Sequence, residues 1–166
     1  MGTGPLRRNA TPADAEAVLT GVLEDLATLF TAEREGALRV ALATVCIQLG
    51  WRYGEAFTVS GGRLIPGPAW SIQDDPAQAG VSTRQARERE RGENLPQKAL
   101  VEGKRVWSAT NATSVAVAAP VVDGDRTLAV LHFVLPHIQP RRDAFASSLI
   151  GVVSAALALR LGRRDE

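Results

Sequence analysis

Apolar residues in the first third of the chain recur at helical steps. Leu19, Val22, Leu26 and Leu29 fall three and four apart, which places them on one stripe of a helix running to about Phe30. Thr11-Pro12 marks its start, with threonine as the cap and proline at the first helical position, where a missing N–H costs nothing. Leu38, Leu42, Val45 and Leu49 repeat the spacing and predict a second helix that Gly50 ends. From Tyr53 the period changes: Phe57, Val59, Leu64 and Ile65 sit in short runs around Gly61-Gly62, a hairpin signal. Pro66 and Pro68 cannot donate to a ladder, so the second strand is expected to be irregular or at an edge.

Residues 74–92 are polar and read as a loop carrying a short charged helix over 83–91. Leu95 to Glu102 has room for two helical turns before Gly103, and Arg105-Val106-Trp107 reads as a brief strand. Val115, Val117, Ala119 and Val121 then alternate with Ala116, Ala118 and Pro120, and Asp123-Gly124 turns the chain into an apolar strand over Leu128 to Leu135. Phe145, Leu149, Val152 and Ala156 form one stripe of a long last helix, with a second through Ile150, Val153 and Leu157. Hairpins flanked by helices predict an α+β domain on a mainly antiparallel sheet.

At 166 residues the chain suits one hydrophobic core. Its formal charge of +1 provides no field for nucleic acid or an anionic membrane, so neither is expected as a partner. The single cysteine, Cys46, excludes an internal disulfide or a multi-cysteine metal cluster, and with no secretory signal at the N-terminus the cytoplasm is the expected compartment. Ala144 to Leu159 is uncharged but interrupted by Ser147, Ser148, Gly151 and Ser154, and is read as a buried or self-associating helix rather than a membrane span.

The run Gly92-Glu93-Asn94-Leu95-Pro96, then Ala99 to Gly103 and Lys104 to Trp107, resembles the pattern of the GAF family of sensory modules. Ser114 to Pro120 resembles its small-apolar-proline strand, Leu128 to Phe133 its outgoing strand, and Arg142 to Phe145 the start of its last helix. Ala129 stands where the family usually has glycine. The resemblance implies a six-stranded antiparallel sheet with terminal helices on one face and short helices over a ligand cavity on the other. It divides the chain into a tail over 1–10, an N-terminal dimerisation helix over 11–31 and a GAF-like domain over 35–163.

On this reading Trp70, Trp107, His132 and Tyr53 are the candidate ligand contacts, each weighed against plain packing or a backbone-bonded histidine. His132 shares a strand face with Leu128, Val130 and Val134; facing the cavity, it would meet a ligand carbonyl or haem iron. His137, after Pro136, is expected in solvent. Cys46 lies between Val45 and Ile47 in an apolar helix and reads as inert packing rather than a thiol sensor. Covalent bilin attachment in phytochrome-like members needs a Cys-His pair, and the family's sulfoxide reductases need several cysteines; one thiol meets neither pattern. The basic residues from Arg84 to Arg105 interleave with Glu88, Glu90, Glu93 and Glu102, so a salt-bridged surface is favoured over a phosphate site. No catalytic or metal-ligating set is predicted. The function expected is sensory and non-catalytic, with an unspecified small effector, a signalling partner and a homodimer joined through the terminal helices; the alternatives are a haem or chromophore sensor and a ligand-free dimerisation module.

Overall fold

A computed structural model describes residues 12–71, 94–108, 115–135 and 143–162. The element order is α1 (Pro12–Thr31), α2 (Arg34–Leu49), β1 (Tyr53–Ser60), β2 (Arg63–Ser71), α3 (Leu95–Glu102), β3 (Val106–Trp107), β4 (Val115–Asp123), β5 (Arg126–Leu135) and α4 (Asp143–Gly162). The charged helix expected over 83–91, the cap at Thr11 and His137 lie outside the described residues. Gly50 ends α2 in the left-handed region, and Asn94 opens α3 by accepting a hydrogen bond from the Gln97 amide.

Among the described residues the sheet has five strands in the order β2-β1-β5-β4-β3, each neighbouring pair antiparallel. β1 and β2 are joined by Gly61 and Gly62, both at positive φ, as a tight hairpin turn of this hand requires. The proline-rich strand β2 is an edge, and its register against β1 slips between Glu55 and Phe57, where Gly67 and Pro68 oppose Ala56. The expectation drawn from Pro66 and Pro68 is met. A second slip, at Val121/Val122, leaves Leu128 without a partner on β4. It also turns Leu128 toward the helix-side core, away from the face of Val130 on which strict alternation placed it.

The main core lies between the sheet and the helices. Ala56, Val117, Ala119, Val121, Ala129, Leu131 and Phe133 point from the strands toward Leu38, Leu42, Val45 and Leu49 of α2 and Leu149, Ile150, Val153 and Leu157 of α4. Helix α1 covers α2 and α4 through Val22 and Leu29. Phe133 stacks tilted on Trp51, ring centres 5.6 Å apart, and is wholly buried. That ring lies against bare backbone at Gly54, where a Cβ would stand 2.9 Å from Phe133 Cδ1 and 3.3 Å from Cys46 Sγ. A smaller cluster on the opposite face joins Ala99 of α3 to Val106, Ala118 and Val130, with Leu64, Leu95 and Leu100 alongside.

The end of α4 is held to the α1–α2 corner by two reciprocal arginine contacts. Arg160 Nε donates to the Ala32 carbonyl at 2.9 Å, and Arg34 Nη2 donates to the Leu161 carbonyl at 3.0 Å. Each satisfies a carbonyl that a helix end leaves without an intrahelical donor. Residues 144–162 are long and apolar enough to cross a membrane, yet half of the helix is buried within the fold, consistent with a core helix.

Candidate functional site

The register of β1 against β5 sets Glu55 opposite His132, and the next antiparallel pairing sets His132 opposite Ala118. Partners in a ladder share a face, so Tyr53, Glu55 and Phe57 of β1 stand beside Val130, His132 and Val134 on the side covered by α3. A carboxylate in the middle of a strand is unfavourable unless its oxygens are occupied. Here they are. Glu55 Oε1 lies 3.0 Å from His132 Nδ1, and the Tyr53 hydroxyl donates to Glu55 Oε2 at 3.3 Å. The His132 side chain is 5% exposed and that of Glu55 13%, so this polar chain runs through a largely buried, otherwise apolar face.

The chemistry of the pair follows from donor inventory. A carboxylate only accepts, so Nδ1 of the neutral ring must carry the proton, and Nε2 then presents a lone pair. Among the described residues Glu55 alone bonds the ring, which leaves Nε2 for whatever else enters this face. His132 therefore differs from the backbone-bonded histidine weighed from the sequence. Its acidic partner, 77 residues away, escaped sequence reading because strand register brings them together. The legible signal was a glutamate and a histidine each standing alone in an apolar strand.

The four candidate contacts do not converge. Tyr53 and His132 share the α3 face, whereas Trp70, opposite Gly54, and Trp107, opposite Val117, pack half-buried against the helix-side core. The sheet separates the two pairs. Trp107 belongs to β3, whose odd residue points to the helices while Val106 takes the α3 side. Cys46 is completely buried in α2, and desolvation pushes its thiol up to about 12.

No protein-family model matches the chain, and no curated protein does. Solved structures do. The GAF domain of nlh2 from A. aeolicus superposes with a TM-score of 0.64 over 89% of this chain and 97% of that one, at 13% identity. A GAF domain from the Acinetobacter phosphoenolpyruvate-protein phosphotransferase gives 0.64 over 89% and 92%, at 11% identity. Free methionine-R-sulfoxide reductase from Neisseria meningitidis, solved with its substrate, gives 0.62 over 95% of both chains, at 15% identity. The chain has the GAF fold, an α+β architecture on an antiparallel sheet that these GAF domains and a sulfoxide reductase share.

Proposed function

We propose that this chain is a sensory domain that takes a small effector on the α3 side of its sheet and pairs with a second copy through α1 and α4. The observation that carries the effector site is the Tyr53–Glu55–His132 chain. Buried polar groups are costly, and this one holds an imidazole by Nδ1 on a sheet face whose β4 neighbours are the small side chains Ala116 and Ala118. The GAF domains among its structural neighbours support a regulatory role.

A non-catalytic reading is favoured over the reductase neighbours by the state of the thiol. Burial pushes the Cys46 thiol up to about 12, which keeps it protonated at neutral pH, whereas the thiolate is the nucleophile. Cytoplasmic residence and a downstream signalling protein belong to the same proposal. The experiment is a thermal-shift screen of metabolites on the full chain. A compound that raises the Tm of wild type but not of His132→Ala supports the site; compounds acting equally on both would place their binding elsewhere.

One observation favours a second reading, a haem sensor. Histidines that ligate iron or zinc commonly donate Nδ1–H to a carboxylate, as His132 can to Glu55. A visible spectrum after haem addition decides: no Soret band that depends on His132 removes this reading.

A further inference from the structure

On the other side of the molecule a groove of about 800 Å³ opens between the first half of α2, the bulged margin of the β1–β2 hairpin and the end of α4. It is distant in the fold from the α3 face, because its walls come from helices that cover the opposite side of the sheet. Its floor is apolar, formed by Leu38, Leu128 and Leu161, with Thr58, Pro66 and Pro68 along one wall. Its rim is charged. Arg34 and Arg39 stand there with a single carboxylate, Glu35, which is tied to Arg39 at 2.9 Å. Arg34 gives one N–H to the Leu161 carbonyl and keeps its other donors.

We infer that this groove binds a small carboxylate with a short hydrocarbon body, the acid on Arg34 and Arg39 and the chain along Leu38, Leu128 and Leu161. Three features lead there. Its volume lies in the range of small-molecule sites, about 300–1,000 Å³, and is too small for a protein partner. The two guanidinium groups outnumber the one carboxylate, so an anion is favoured over a cation. The division into apolar floor and basic rim matches a ligand apolar along its length and ionised at one end, since a guanidinium fork pairs with a carboxylate better than with a hydroxyl. The groove arises from the β2 bulge, where Gly67 backs onto the Ala56 carbonyl so closely that a Cβ would lie 3.0 Å from it. The bound acid takes Arg34 donors beside the Leu161 contact, which places the ligand at the junction of α2 with α4.

The test is methyl NMR of the full chain titrated with hexanoate, 1-hexanol and acetate. Expected are saturable shifts at Leu38, Leu128 and Leu161 with a Kd of about 1 mM. Hexanol and acetate should each bind about tenfold more weakly, since one lacks the charge and the other the body. Arg39→Gln should weaken hexanoate severalfold and leave hexanol unchanged, and Thr58→Trp, which fills the groove from its helix-side wall, should abolish binding of both. The Arg34→Gln variant is informative only where its amide spectrum stays native, because Arg34 also holds Leu161; Arg39→Gln and Thr58→Trp carry the test without it. Absence of saturable shifts up to about 10 mM, shifts confined to residues outside the groove, or hexanol binding as well as hexanoate would each overturn the inference.

Discussion

The thiol of Cys46 and the carboxylate of Glu55 show how burial decides what a side chain can do. Cys46 sits between α2 and the Gly54–Phe133 contact, and its pKa is raised from 9.0 to about 12 by desolvation. Above pH 9 the unfolded chain loses this proton while the folded chain keeps it, so folding is favoured less as pH rises. The stabilisation is complete below about pH 9 and lost as pH climbs through 12, at about 1.4 kcal/mol per unit. Cys46→Ala should remove that slope in urea titrations between pH 8 and 10, and native protein should react with an aromatic disulfide only at the rate of unfolding. For the polar chain, Glu55→Leu leaves His132 buried without a partner and should cost about 1–3 kcal/mol. The double substitution Glu55→Leu/His132→Leu should cost less than the sum of the single ones, as a denaturant cycle would show. Gly54→Ala drives a methyl into a ring already pinned by Trp51 and should lower stability by about 1–3 kcal/mol, read from the urea midpoint.

At the scale of elements the helix stripes separate into a buried and an exposed set. In α1, Val22 and Leu29 are buried as expected, but Leu19 is 59% exposed, and Leu23 at 56% and Phe30 at 36% continue its row. In α4, Leu149 and Ala156 are buried while Phe145, Val152 and Leu159, each seven residues apart, are 50%, 51% and 67% exposed. A repeat of seven with the small residues Ser148 and Ala155 between has the spacing that a helix-pairing seam requires. The residues proposed to pair two copies are thus Leu19, Leu23, Phe145, Val152 and Leu159, while Leu26 packs half-buried against the core. Val152→Glu should convert a dimer to a monomer in light scattering while lowering the unfolding free energy of the protomer by no more than about 0.5 kcal/mol, since an exposed position loses little packing. A wild-type mass of one chain at tens of micromolar would end the dimer proposal.

At the scale of the molecule the sheet is a partition. Helices and the large core occupy one side, and α3 with a small cluster of alanines and valines occupies the other. Tryptophans at the two edge strands belong to the first side, so Trp107→Ala should chiefly destabilise the fold, by about 3 kcal/mol in a urea melt, and change affinity for an α3-side effector little. An effector lost selectively on that substitution, with stability unchanged, would return Trp107 to the site.

What the sequence determined by itself was local. Period 3.6 in Leu38 to Leu49, period two in Val115 to Val121, the paired glycines at 61 and 62 and the prolines of β2 specify elements and their ends through contacts within a few residues, and the structure reproduces them. Their order carried the α+β class and the GAF resemblance. What tertiary structure alone decided was which sides meet. The face taken by Trp107 depends on whether the strand places odd or even residues toward the helices, and a shift of one residue reverses every side chain. The bulge at Leu128 did so locally. The Glu55–His132 contact depends on the register of two strands far apart in the chain, and the exposed seam on α1 and α4 depends on which stripe the other helices had already covered. Periodicity reports that a residue has an apolar or polar side, but only long-range pairing supplies the neighbour on that side.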